Sequence, residues 1–249
     1  MNNMTTATTG FSALLSAPFA LHRSSGSLLF AAAALLLCSA AFGLPEEVRY
    51  QGDLVVENTT DHYYDDEWYG ETNGRESGPG FDIGFTFSFF GTDYTKMWPT
   101  SNGLLGLGTP GSSAYGNSCF PTTSAGGLPI IAPFWDDTVV SEQDLAGMIL
   151  HKTIGTAPNR KCVIQYNNIG FFARSYVLGT FTVILYETSN EIQVQYRNLV
   201  DVSNPRASGN SATIGLNKGD GVSAVQYSCN TVDSVASEMA IRFTPNAPS

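Results

Sequence analysis

The sequence predicts an all-β fold, an antiparallel β-sandwich of jelly-roll type, built as a single domain. Three stretches carry the prediction. In FDIGFTFSF (81–89), Phe81, Ile83, Phe85, Phe87 and Phe89 alternate with Asp82, Gly84, Thr86 and Ser88. That period of two marks a strand with one buried face. EIQVQYR (191–197) repeats it, with Ile192, Val194 and Tyr196 on one side and Gln193, Gln195 and Arg197 on the other. TFTVILYE (180–187) is apolar at nearly every position and rich in β-formers, which suits a central strand covered on both faces. Twisted sheets of many short strands must pack together or close to protect their edges, hence a sandwich.

The elements follow in chain order. Residues 1–43 read as a secretory leader: they hold no acidic residue, His22 and Arg23 precede an apolar run from Leu28 to Leu37, and Ala41-Phe42-Gly43 is a small-x-small cleavage site. The run is about half of the roughly 20 residues that span a bilayer, so no membrane span is expected once the leader is removed. Residues 44–249 then form the extracellular module. Further strands are expected at Arg49–Glu57, Leu104–Leu107, Ile130–Trp135, Met148–Lys152, Lys161–Tyr166, Ala212–Leu216, Ala224–Ser228 and Ala240–Phe243. Turn chemistry separates them in SNG (101–103), TPGSS (109–113), SAGG (124–127), APNR (157–160) and NKGDG (217–221). ETSNE (187–191) links two strong strands as a hairpin. Thr231–Glu238 is worth one helical turn at most.

Removing the leader leaves 206 residues, enough for one real core. They hold all 22 acidic residues and 11 of the 12 basic ones, a formal net charge of −11. A chain so acidic, with no basic run, is a poor partner for nucleic acid or anionic lipid. Cys119, Cys162 and Cys229 fit no zinc spacing. Cys162 alternates with Ile164 and Tyr166 and reads as a small buried hydrophobe. Cys119 and Cys229 sit in turn-rich surroundings, where export permits a disulfide between them.

Three blocks in a fixed order carry a resemblance. They are FTFSFFGTDYTKMWPTSNGLLGLG (85–108), with a strand, an aromatic-Gly turn and a strand carrying Asn-Gly; LPIIAPFWDDTVV (128–140); and the pair GMILHKTIGTAPNRKCVIQYNNI (147–169) and TFTVILYETSNEIQVQY (180–196). From about residue 80 to the C-terminus the chain resembles the nidogen-like extracellular module of matrix and adhesion proteins such as nidogen and tectorin. It looks closest to the related modules of secreted bacterial surface proteins. The resemblance implies an all-β, non-catalytic extracellular module with adhesion or scaffold contacts, and supplies no ligand residues.

Two clusters have the residue types of a binding site. In IIAPFWDD (130–137), Asp136 and Asp137 follow directly on Trp135. Neighbours on a strand point to opposite faces, whereas glycoside hydrolysis wants two carboxyls facing each other across a sugar at roughly 5 to 9.5 Å. The structural reading makes Ile130, Ile131, Phe134 and Trp135 core and lets the two aspartates end the strand. DHYYDDEWYGE (61–71) is the other cluster, with Asp65, Asp66, Trp68 and Tyr69 as its candidate ligand residues. Its oxygens suit calcium, although the spacing is not that of an EF-hand loop; its aromatics suit stacking on a sugar. The bland alternative is a solvated acidic loop. Asn58-Thr59-Thr60 is a glycosylation sequon, placing Asn58 on the surface of an exported chain.

No Gly-x-Ser-x-Gly elbow, HExxH or Walker loop occurs, and GLLGLG (103–108) follows no βα pattern. The expectation is therefore a secreted or cell-surface module that is not an enzyme and has no obligatory cofactor. Its partner would be an extracellular protein or glycan, or a second copy paired along a sheet edge. A calcium-assisted lectin is the alternative, and a glycoside hydrolase the reading that the motifs favour least.

Overall fold

A computed structural model describes residues 41–49, 62–63, 80–109, 114–140, 147–172, 177–200 and 204–246. All of its regular structure there is strand. β1 (Glu46–Arg49), β2 (His62–Tyr63), β3 (Phe81–Phe89), β4 (Thr92–Pro99), β5 (Leu105–Leu107), β6 (Ile130–Trp135) and β7 (Thr138–Val139) come first. β8 (Met148–Ile154), β9 (Lys161–Phe171), β10 (Val177–Tyr186), β11 (Ile192–Leu199), β12 (Thr213–Asn217), β13 (Ala224–Cys229) and β14 (Met239–Phe243) follow. They build two antiparallel sheets, ordered β1-β14-β11-β10-β9-β8-β2, with β7 beside β9, and β13-β12-β6-β5-β4-β3. The sheets pack face to face as a sandwich, as the alternating pattern requires. Among the described residues no helix is long and apolar enough to cross a membrane.

The expected strands recur, with two instructive differences. Of the first expected strand only Arg49 lies in the described residues, as the last residue of β1; residues 50–57 lie outside them. The strand carrying Asn-Gly in the first block of the resemblance is instead β4, the expected SNG turn and β5: Thr100 N donates to the Leu104 carbonyl at 2.8 Å and Gly103 N to the Thr100 carbonyl at 3.3 Å. Gly103 has φ of 68°, a left-handed conformation in which glycine carries no Cβ penalty. That is why the run from Thr92 to Leu107 folds back as two strands.

The main core lies between the sheets. Ile83, Phe85, Phe87 and Phe89 come from β3, Phe181, Val183 and Leu185 from β10, and Ile192, Val194 and Tyr196 from β11. Tyr166 stacks on Phe181 at 4.7 Å between centroids. β10 is buried on both faces, and so are Gln193 and Gln195 on the far side of β11. Cys162 is fully buried in this core, and that burial pushes its thiol up to about 12; it remains an unreactive packing group at neutral pH.

β3 is the last strand of its sheet, and three of its backbone groups are bonded from the opposite sheet and its loops. Its pairing with β4 breaks between Asp82 and Phe87, and side chains from the opposite sheet and its loops take over there. Thr153 Oγ1 donates to the Ile83 carbonyl at 2.7 Å, and Asn190 Oδ1 accepts from Ser88 N at 2.8 Å. Arg160 Nη1 donates to the Gly84 carbonyl while its Nε and Nη2 hold Glu187 in a two-pronged ion pair. The Arg160 bonds hold the Glu187 carboxyl down at about 2, below its ordinary 4.5. A depressed carboxyl stabilises the fold above its unfolded pKa, and the contribution fades as pH falls toward the folded one. The stability difference between the parent chain and Glu187→Gln should therefore be constant above about pH 4.5, shrink between 4.5 and 2, and vanish below; urea titrations across that range measure it.

Candidate functional site

Of the residues that looked chemical, Asp136 and Asp137 lie where the Asn-Gly turn meets the end of β6. β6 lies between β5 and β12, yet it contains Pro133, which gives no ladder donor. The pairing with β12 slips between Ala132 and Trp135, so the strand carries a bulge at the proline. The freed Pro133 carbonyl accepts the buried Tyr196 hydroxyl at 2.6 Å. Across the bulge successive side chains reach different layers. Phe134 enters the main core near Phe171 and Phe181, at 6.3 and 6.1 Å. Trp135 turns to the other side of the sheet, into a second core with Leu104, Phe120, Ala125, Ile130 and Ala132.

The Asn-Gly turn docks on this strand end. Asn102, 1% exposed, accepts from Thr138 N through Oδ1 at 3.1 Å, and Thr138 Oγ1 donates to the Ser101 carbonyl at 2.6 Å. A Cβ on Gly103 would lie 1.9 Å from the Phe134 carbonyl oxygen, so the backbone approaches where only glycine fits. The hydroxyl of the buried Tyr166 donates to the Leu104 carbonyl at 2.9 Å from the opposite sheet. The two blocks most specific to the resemblance are thus two halves of one joint.

The aspartate pair divides at the same place. Asp136 is buried, 5% exposed. Its Oδ1 accepts from Arg206 Nη2 at 2.8 Å and from Asp137 N at 2.8 Å, and its Oδ2 accepts from Ser211 Oγ at 2.6 Å. Arg206 Nε also donates to Ser211 Oγ at 3.2 Å, and its guanidinium lies 4.3 Å from the Phe171 ring centre. The buried charge is paired and hydrogen-bonded on both oxygens, as burial demands. Asp137 is half-buried, and its carbonyl accepts from Phe172 N at 3.1 Å. A carboxylate held this way ties β6, the 204–211 loop and its own backbone together.

Residues 114–128 lie over the second core as a strap. Trp135 Nε1 donates to the Ala114 carbonyl at 2.7 Å, and the Trp135 ring stacks on Phe120 at 6.0 Å. Asn117 Nδ2 donates to Thr213 Oγ1 at 3.0 Å and Asn230 Oδ1 at 2.8 Å. Phe120 N donates to Gln226 Oε1 at 2.7 Å, and the Asn217 amide takes both backbone groups of Thr122, at 3.3 and 2.9 Å. The Cys119–Cys229 disulfide, with alpha carbons 5.4 Å apart, fastens the strap to β13.

Asp65, Asp66, Trp68, Tyr69 and the Asn58 sequon lie outside the described residues, and with them the calcium expectation for the 61–71 loop. Among the described residues no group of three or more His, Cys, Asp or Glu side chains is placed to hold a metal ion. His151 packs its ring 4.5 Å from that of Phe81. Sequence reasoning missed Arg206 and Ser211, which complete the joint, and Asn117, Asn217 and Gln226, which hold the strap. For Arg206 in SNPRASGNS the only signal was a lone guanidinium among small turn residues, 70 positions from its carboxylate.

A family model described as NIDO related matches residues 63–248. No curated protein and no solved structure gives a significant match. The match starts ahead of the expected residue 80 and covers the joint, the strap and every strand from β3 to β14; it does not favour the modules of bacterial surface proteins.

Asp136→Asn keeps the shape of the side chain but removes the charge that Arg206 meets. It should cost about 2 to 3 kcal/mol, read as a lower urea midpoint at unchanged m-value. Replacing both Cys119 and Cys229 by serine frees a closed loop of 110 residues and should cost about 3 to 4 kcal/mol in the same titration.

Proposed function

The chain belongs to the NIDO-related family, and on that premise we propose that it is a non-catalytic extracellular module whose work is to hold a protein partner at a surface or in a matrix. The observation that carries this reading is the state of Asp136. The carboxylate best placed in sequence to be an acid or base is consumed by Arg206 and Ser211 in holding the fold. The Asn-Gly turn, the tryptophan and the strap are likewise engaged with one another. Chemistry-like residues that serve the frame support a presenting scaffold, in which binding rests on the surface rather than on a reacting group. The disulfide is consistent with an extracellular setting.

The exported protein, immobilised and screened against extracellular-matrix proteins and a glycan array with calcium and again with chelator, tests the proposal. Saturable protein binding that survives chelator, and survives Asp136→Asn in a variant that remains folded, is the expected result. Binding confined to one sugar class and lost in chelator would replace it with a calcium-assisted lectin. Turnover of a glycan that Asp136→Asn abolishes would replace it with a hydrolase.

A further inference from the structure

The sequence allows more than one leader cleavage site, because signal peptidases ask only for small residues one and three positions before the cut. Ala41-Phe42-Gly43 meets that rule with a cut after Gly43. Ser39-Ala40-Ala41 meets it with a cut after Ala41, and Cys38-Ser39-Ala40 with a cut after Ala40. These frames differ in one consequential way: only the first removes Phe42.

Phe42 belongs to the sandwich. It is 4% exposed and part of the main core. Its ring lies 5.1 Å from Phe90, edge-on, and 5.8 Å from Phe89, so it closes the core beside the turn between β3 and β4. The backbone around it is paired as well. Phe42 forms an antiparallel bridge with Pro245, Gly43 N donates to the Thr244 carbonyl at 2.9 Å, and Asn246 N donates to the Ala41 carbonyl at 3.0 Å. This bridge carries the pairing of β1 with β14 past the end of both strands. Leu44, by contrast, is 65% exposed. A chain starting at Leu44 would keep an exposed leucine and lose the aromatic plug.

We propose that the leader is cut before Phe42, at Ala40–Ala41 or Ala41–Phe42, so that the first residues of the mature protein are a structural part of it. The cut after Ala40 also keeps the Ala41 carbonyl that Asn246 uses. Leader removal and core completion are then matched: the peptidase trims to the first residue the fold needs. This inference concerns processing and stands apart from the partner proposed above.

One substitution separates the frames. Gly43 has no left-handed φ, and a Cβ there would meet only Asn246 Oδ1 and the Thr244 carbonyl oxygen at 3.6 Å, ordinary contact. Gly43→Val is therefore tolerated by the fold, yet it puts a branched residue just before the cut in the frame that ends at Gly43 and leaves the other two frames intact. The full-length chain and its Gly43→Val variant, each with a C-terminal tag, would be expressed in a secreting cell line, and the exported protein read by N-terminal sequencing and intact mass. Both should begin at Ala41 or Phe42. Export beginning at Leu44, a start that moves upstream only in Gly43→Val, or an uncut chain overturns the proposal. Melting supplies a second reading on the exported material: Phe42→Leu, which puts no small residue into a leader frame, should lower Tm by at least about 2 °C, as a smaller side chain in this core position does in a domain of this size. An unchanged Tm would remove the reason for retaining the residue.

Discussion

The constraint on which the fold depends is that β6 must face two hydrophobic layers at once. Ile131 and Phe134 enter the core between the sheets; Ile130, Ala132 and Trp135 enter the core beneath the strap. A strand with period two can serve both layers, but a proline in a central strand costs a ladder bond. The chain resolves this with a bulge, and the bulge creates the groups that the surroundings then satisfy. The Pro133 carbonyl takes Tyr196, the Phe134 carbonyl takes the close approach of Gly103, and the abrupt end of the strand delivers Asp136 to Arg206. Both sheets, the Asn-Gly turn and the 204–211 loop are thus indexed to one irregularity.

The same logic governs the outside of the sandwich. A sheet edge with free backbone groups invites pairing with another chain. β3 departs from β4 at its centre, and Thr153, Arg160 and Asn190 reach over from the other sheet and its loops to occupy the exposed groups. At the opposite edge, the strap is disulfide-bonded to β13 and bonded to its Gln226. Edge-to-edge assembly at β3 would have to displace bonds already made. Partners that use side-chain surface face no such competition.

Legibility in the sequence followed the range of the interactions. Period-two alternation is local, so β3, β9 and β11 stood out by it, while β6 and β10 showed as continuous apolar runs. SNG was legible as a turn from its composition, but not the contact that fixes it, the Phe134 carbonyl lying where a side chain on Gly103 would be. The aspartate pair was visible as two acids, and strand geometry indicated that they do not act together. That Asp136 is the latched member depends on Arg206 and Ser211, 70 and 75 residues away, and no periodicity encodes such a distance. The strap has no repeating pattern at all. Its hold on the sheet comes from single amides, Asn117, Asn217 and Gln226, each of which looks in sequence like ordinary turn composition.

The joint constrains substitution in this chain more tightly than any surface position does. The Asn-Gly turn and the Trp-Asp-Asp block lie far apart in sequence and meet through bonds that tolerate little change: a glycine pressed on a carbonyl, an asparagine buried to 1%, a carboxylate saturated on both oxygens. Substituting any one leaves a buried polar group without its partner or forces the backbone apart, and either consequence falls on stability. Surface side chains carry no comparable penalty and are free to diverge. Physical constraint therefore falls most heavily on the joint, and the surface side chains ride on the frame it fixes. For this chain the family match assigns the scaffold, and the joint fixes the surface that the scaffold presents.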